Sequence, residues 1–120
     1  MKLTIAGKER ELKFGIGFVR KLDEIYYMDQ SGIKFGAGLN LAIPQLSLES
    51  PTVLANVIRA AVKGNVSQQQ VDEALEDYAD EHDGLDGLFE FVDAGLKTSS
   101  ITKGSYNRLM ETMEEAEQTN

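Results

Sequence analysis

The first 28 residues constrain the fold more than the rest of the chain, because two short alternating strands run into a helix. Residues 2–5 and 9–14 carry apolar side chains at every second position, which is the pattern of a half-buried strand. Residues 6–8 predict a tight turn, and a Gly-Ile-Gly segment at 15–17 leads into the helix. An isolated hairpin is only marginally stable in water. We therefore expect this hairpin to pack on another element, most simply on the helix that follows.

Apolar residues at helical spacing predict about five or six helices after the hairpin. Two starts are marked by local chemistry: Ser50 before Pro51 opens a strongly apolar central helix, and Ser67 with Gln70 forms a capping box. Gly64 is expected to close the central helix. The predicted ranges are 16–28 for the first helix, then 68–81, 84–97 and 103–117.

The segment between the first helix and Ser50 is harder to interpret. Residues 29–32 are expected to end the first helix, and the glycine-rich residues 33–38 are predicted to be irregular. Apolar residues at 39–46 indicate a short helix that contains Pro44. Because proline lacks an N–H and clashes with the preceding turn, this helix is expected to begin near Asn40.

These patterns predict an α+β fold that is mainly α, with an N-terminal β-hairpin packed on about five to six helices. A chain of 120 residues suits one domain. We divide that domain, 1–120, into a hairpin at 1–15, a helical region at 16–117 and a tail at 118–120.

Composition excludes several classes of protein. The chain has no cysteine, which rules out disulfides and thiolate metal sites and is typical of a cytoplasmic protein. It has no apolar run of membrane-spanning length and no basic-then-apolar leader, so we expect neither a membrane span nor a signal peptide.

The net charge of −8 is divided unequally between the two halves of the chain, with +3 over residues 1–63 and −11 over residues 64–120. Nucleic acid binding needs clustered Lys and Arg, which this acidic chain lacks over most of its length. One interpretation is that copies meet head to tail through opposite charges. The other is that acidic helices simply keep the protein soluble.

The sequence contains no convincing catalytic, cofactor or metal site. His82 is the only histidine, and the acidic residues around it lack the spacing of an EF-hand loop. We expect His82 to lie in a solvated loop between helices. Gly15 and Gly17 resemble the start of a dinucleotide-binding loop, but Arg20 occupies the third glycine position. No serine stands in a nucleophile elbow. An enzyme is therefore not expected.

Partner binding is the better hypothesis, and the sequence offers two groups of apolar residues for it. One group lies where the hairpin meets the first helix, and the other lies on the last amphipathic helix, where methionine can repack against a partner. Ordinary core packing explains the same spacing and stays open as the alternative. The candidates for partner binding or self-association are Phe14, Ile16, Phe18, Tyr106, Met110 and Met113.

Residues 1–15, MKLTIAGKERELKFG, and residues 18–23, FVRKLD, resemble the tail assembly chaperones of long-tailed phages and prophages of Gram-positive bacteria. The resemblance is best over residues 1–63. It implies a small, mostly helical protein without catalytic residues that works in the host cell cytoplasm and is absent from the mature virion. Its implied partners are the tape-measure protein, which it would bind and keep soluble, and the tail-tube protein. The family often self-associates in rings or spirals, and many members have a frameshifted longer form.

The sequence therefore favours a non-enzymatic phage tail assembly chaperone. Two alternatives stay open: a small acidic adaptor that binds one folded partner, and a weak metal-binding module.

Overall fold

The computed structural model describes residues 2–118, and within that range it contains six helices and two β-hairpins. The strands are β1 (Lys2–Ile5), β2 (Lys8–Glu11), β3 (Tyr27–Gln30) and β4 (Ile33–Gly36). The helices are α1 (Ile16–Ile25), α2 (Gly38–Ser47), α3 (Pro51–Ala61), α4 (Gln68–His82), α5 (Asp86–Thr98) and α6 (Lys103–Gln118). The predicted α+β, mainly α class is confirmed. Of the predicted tail at 118–120, residue 118 ends α6, and residues 119 and 120 lie outside the described range.

Helix α3 forms the centre of the core, as its apolar sequence predicts. Its side chains at Leu54, Val57 and Ile58 have no solvent exposure. The helix packs against α1, α2, α4 and α5. It ends at Ala61, so Gly64 lies three residues beyond the helix and does not cap it directly.

Both predicted helix starts are confirmed by side-chain caps. The Ser50 hydroxyl accepts a hydrogen bond from the Val53 amide at 3.3 Å, at the start of α3. At the start of α4, the Ser67 hydroxyl accepts from the Gln70 amide at 3.1 Å, and the Gln70 side chain accepts from the Ser67 amide at 3.0 Å. These reciprocal bonds satisfy two amides that the first helical turn leaves without partners.

The first hairpin forms as predicted, but its packing differs from the expectation. Leu3 and Ile5 are buried, and β1 packs chiefly against α4 rather than against α1. Strand β2 is also shorter than the predicted strand over 9–14, because Leu12 leaves β1 and pairs with Val62, just after α3. The hairpin is thereby joined to the end of the central helix.

A second hairpin replaces the end of the predicted first helix and the segment predicted to be irregular. Helix α1 stops at Ile25 because Tyr26 turns extended, with its carbonyl accepting from the Ala37 amide at 3.0 Å. Strands β3 and β4 then pair antiparallel around Ser31 and Gly32, which have φ angles of 53° and 79°. Positive φ at both central positions is the requirement of the two-residue turn that best matches strand twist.

Helix α2 begins at Gly38, two residues before the predicted start, and therefore contains Pro44 in its interior. The start is set by α1, because the Asp23 carboxylate accepts a hydrogen bond from the Gly38 amide at 2.8 Å. A Cβ atom at Gly36 or at Gly38 would overlap Asp23, so both glycines permit this close approach. The predicted start near Asn40 is therefore two residues late, and Pro44 lies further inside the helix than expected.

The remaining helix boundaries lie close to the predicted ones, and two long-range bonds attach the C-terminal part of the chain to the core. The Ser99 hydroxyl donates to the Phe14 carbonyl at 2.6 Å, which ties the end of α5 to the end of the first hairpin. The fully buried Thr102 hydroxyl donates to the Leu96 carbonyl at 2.7 Å. These two bonds fix the position of the turn between α5 and α6.

Candidate functional site

Three of the six predicted partner-binding residues lie in the core. Phe14 and Phe18 are almost completely buried, with their ring centroids 5.1 Å apart in an edge-to-face arrangement. Phe91 of α5 completes the aromatic cluster, with its centroid 6.0 Å from that of Phe14. Tyr106 is 6% exposed. Unless the core opened, a partner could touch only the small exposed parts of these rings.

Ile16 is the exposed member of the first candidate group. It begins α1 and leaves 55% of its surface accessible. Lys13, Lys21 and Lys63 line the same shallow depression, and Arg20 lines a neighbouring one. The second depression also contains Asp23 and Glu24, so cations predominate only on the side of the three lysines. That side is suited to a partner surface that is apolar and acidic.

Met110 and Met113 are half-buried on α6, and Met110 packs against the core cluster. Glu111 and Glu114, which alternate with them along the helix, are exposed. The methionine edge is thus a narrow apolar strip with carboxylates beside it. It is more accessible than Tyr106 on the same helix.

Tyr106 is held in place by a polar contact at the end of its buried ring. Its hydroxyl donates a hydrogen bond to Asp93 Oδ1 of α5 at 2.5 Å. Burial of the ring, together with the hydrogen bond and negative charge of Asp93, raises the pKa of Tyr106 from 10.0 to about 12. The contact fastens α6 to α5.

Three exposed apolar side chains lie together on the second hairpin. Met28 of β3 pairs with Phe35 of β4, and Ile33 lies two residues along β4 on the same face. These side chains are 49%, 50% and 59% exposed, respectively. Sequence analysis did not select them, although a Ser-Gly turn between alternating apolar residues would have indicated the hairpin. We call Met28, Ile33 and Phe35 the hairpin face.

The opposite side of the second hairpin is polar and lies toward α1. Lys34 Nζ lies 4.1 Å above the centre of the Tyr27 ring, which is a cation–π contact. Lys34 and Gly36 also line a depression with Asp23 and Arg20 of α1. The hairpin is therefore attached to α1 on one side and presents the hairpin face on the other.

A small pocket lies where α2, α5 and α6 meet. Its volume is about 210 Å³, and its lining is apolar at the base and acidic at the rim. The residues that line it are Ile43, Leu46, Ser47, Glu49, Phe89, Glu90, Asp93, Leu96 and Tyr106.

His82 was predicted in a loop, but it is the last residue of α4. It is exposed, its ring stacks on Tyr78 with centroids 3.9 Å apart, and its Nδ1 lies 2.9 Å from the Tyr78 carbonyl oxygen. Asp83 and Gly84 follow with positive φ and end the helix. Among residues 2–118, no three His, Asp or Glu side chains are placed to hold a metal ion together. The environment of His82 is that of a helix end.

No helix in the described range has both the length and the apolar composition needed to cross a bilayer.

A comparison with protein families gives one match that covers most of the chain. A family model described as "Phage tail assembly chaperone protein, TAC" matches residues 2–111. No curated protein and no solved structure matches the chain significantly. The match includes both hairpins, α1 to α5 and the first half of α6.

Proposed function

The chain belongs to the phage tail assembly chaperone family, and we propose that it binds the tape-measure protein and keeps it soluble while tail-tube subunits are recruited. Its membership supports a role in tail assembly and a non-enzymatic function. The binding of these two partners is the proposal.

The hairpin face is the observation that carries this proposal. Two-stranded hairpins are marginally stable alone, and Met28, Ile33 and Phe35 leave about half or more of their surface in water. Apolar side chains that lie together on the surface of a soluble protein mark interaction sites. A long helical client has apolar stripes that aggregate unless they are covered. The hairpin face offers such a stripe an apolar surface to pack against.

The acidic C-terminal half supports the second part of the role, which is solubility of the complex. Helix α4 contains six Asp or Glu residues and no Lys or Arg, and its outward side is exposed. The hairpin face lies in the mildly basic half of the chain, so contact with a client there leaves the acidic side of α4 free. Net negative charge on a coated client opposes aggregation by like-charge repulsion. Met110 and Met113 extend the proposal to α6 as a further apolar contact.

We also infer that copies of the chain self-associate head to tail, which produces a ring or an open spiral. The charges of +3 and −11 on the two halves and the exposed Ile16 among lysines support this contact. Salt weakens exposed charge attraction, because the Debye length falls to about 10 Å at 0.1 M. Sedimentation at several protein and salt concentrations is expected to show larger species at low salt. A monomer under all conditions would contradict self-association.

The proposed site of action is the cytoplasm of the host cell, with release before the tail is finished. Immunoblots of purified virions and of infected-cell lysates test this directly. We expect the chain in the lysate and not in the virion, and a stoichiometric amount in virions would contradict it.

Co-expression with the tape-measure protein tests the client proposal. Phe35→Asp and Ile33→Asp place a carboxylate on the hairpin face without changing a buried position. Both are expected to move the tape-measure protein from the soluble to the insoluble fraction, because an unpaired charge would be buried on binding. The matched control is Ile101→Asp, which changes an apolar residue that is 43% exposed in the turn between α5 and α6.

The control is expected to preserve client solubility, and circular dichroism must show that all three variants fold. If folded wild-type protein leaves the soluble client fraction unchanged, the chaperone proposal is wrong and a single-partner adaptor is the better account. If wild type solubilises the client and the two hairpin variants do so equally well, the hairpin face is not the client site.

A further inference from the structure

The pocket between α2, α5 and α6 has the size and chemistry of a receptor for one side chain. Its base is formed by Ile43 and Leu46 of α2, Phe89 and Leu96 of α5, and Tyr106 of α6. Its volume is about 210 Å³. For comparison of size, an enclosed apolar cavity of about 150 Å³ accepts benzene. The pocket is therefore large enough for an aromatic side chain.

The rim of this pocket is negatively charged. Glu49, Glu90 and Asp93 line it, and no Lys or Arg is among the described residues that do so. All three acidic residues are exposed, and Asp93 also accepts a hydrogen bond from the Tyr106 hydroxyl. Cations beside the inserted side chain would meet complementary charge.

One exposed apolar side chain, Leu48, lies next to the pocket in the sequence. Leu48, between the lining residues Ser47 and Glu49, is 83% exposed, which is the highest exposure among the large apolar residues of the described range. A partner that fills the pocket would also cover Leu48. Glu49 itself has a φ of +58°, at the end of a helix where glycine is the usual residue.

We propose that this pocket binds an aromatic side chain of a partner helix on which that side chain is flanked by Lys or Arg. An apolar anchor that fills a desolvated pocket is the arrangement in which few residues supply most of the binding energy. The charged pairs at the rim would mainly select the partner. The pocket and the hairpin face share no residue, so this inference does not depend on the client site proposed above. Together the two surfaces would allow one copy to contact two proteins.

The test uses synthetic helical peptides of alanine and lysine with one central tryptophan. The chain contains no tryptophan, so peptide fluorescence reports binding without a protein background from that residue. The full-length protein is expected to shift the peptide emission to the blue. A peptide with phenylalanine at the anchor position is expected to compete, whereas one with alanine there and one with glutamate for lysine are not.

Two variants assign the binding to this pocket. Ser47 lines the pocket, so the phenyl ring of Ser47→Phe should occupy part of it and weaken peptide binding about tenfold or more. The control is Gln69→Phe, which adds the same ring at an exposed position in the first turn of α4 and is expected to leave binding unchanged. Glu49→Gly removes a rim carboxylate while allowing positive φ without a Cβ penalty. It is expected to weaken binding without lowering Tm.

Equal competition by the alanine-anchor peptide, equal binding of the glutamate peptide, or full affinity in Ser47→Phe would each overturn the proposal. Co-expression separates this result from the client proposal. Ser47→Phe is expected to keep the tape-measure protein soluble, and Phe35→Asp is expected to bind the peptide. Loss of peptide binding in a folded Phe35→Asp variant would show that the pocket is not an independent site.

Discussion

Replacing Tyr106 by phenylalanine tests the attachment of α6 to α5 with little change in packing. The ring stays in its buried position, and only the hydroxyl that donates to Asp93 Oδ1 at 2.5 Å is lost. A hydrogen bond to a charged group contributes about 1.5–3 kcal/mol. Because the Asp93 carboxylate is largely exposed and water can replace the hydroxyl, we expect a loss of about 1–2 kcal/mol at pH 7.

Burial of the Tyr106 ring, together with its contact to Asp93, predicts how stability depends on alkaline pH. Tyrosine in the unfolded chain loses its proton near its ordinary pKa of 10.0, whereas Tyr106 in the folded chain has a pKa of about 12. This stabilising contribution is complete below pH 10 and is lost as the pH rises toward 12 and beyond. Two pH units correspond to at most about 2.7 kcal/mol. Tyr106→Phe lacks this contribution, so the difference from wild type should shrink over that pH interval.

Urea denaturation of both proteins at a series of pH values from 7 to 11.5 measures these quantities. Wild type is expected to be more stable at pH 7 and to lose its advantage above pH 10. Asp93→Asn, which keeps an acceptor but removes the charge, should lie between them. Equal stability of wild type and Tyr106→Phe at pH 7, with parallel curves above pH 10, would refute the contact.

Two glycine-to-alanine substitutions compare the cost of a steric clash with the gain in helix propensity. Gly95→Ala should destabilise the protein by about 1–3 kcal/mol, because its Cβ would overlap the Phe14 ring and outweigh the better helix propensity of alanine. In α6, a Cβ at Gly104 would make only an ordinary contact with the flexible Arg108 side chain, so Gly104→Ala should leave the stability of the protein unchanged or raise it by up to about 1 kcal/mol. Thermal melts of both variants measure these changes. His82→Ala removes an exposed ring that stacks on Tyr78, so folding and client solubility should be unchanged. Calorimetric titration with calcium, magnesium and zinc should detect no tight site, and micromolar binding that His82→Ala abolishes would support a metal-binding module.

The features that sequence predicted correctly are those specified by neighbouring residues. Ser50 before Pro51, and Ser67 with Gln70, contain the donors and acceptors of their own caps, so each helix start is visible locally. The first hairpin was predicted from its alternating apolar residues, and in the structure Leu3 and Ile5 of β1 are buried.

The features that sequence missed depend on contacts between distant residues. Helical spacing continued through residues 26–28, and nothing local showed that the Tyr26 carbonyl accepts from Ala37. Likewise, the Asp23 carboxylate sets the start of α2 from another helix, and Pro44 consequently lies inside it. Such tertiary contacts override local preference.

Sequence could not separate candidate partner-binding residues from core residues, because apolar spacing is the same for both. Phe14 and Phe18 were selected as large apolar residues near a turn, and they are core. Ile16 from the same group is exposed. Met28 was predicted to end the first helix, and Phe35 was placed in an irregular segment because of its neighbouring glycines, so neither was selected.

Hydrogen exchange on the complex with the tape-measure protein tests the central claim most directly. Strands β3 and β4 form a two-stranded sheet whose hairpin face is half exposed, so their amides should exchange readily in the free protein. In the complex, residues 27–36 are expected to exchange more slowly by about tenfold or more, while the outward side of α4 is unchanged. Unchanged exchange at 27–36 in a complex that forms and stays soluble would contradict the account.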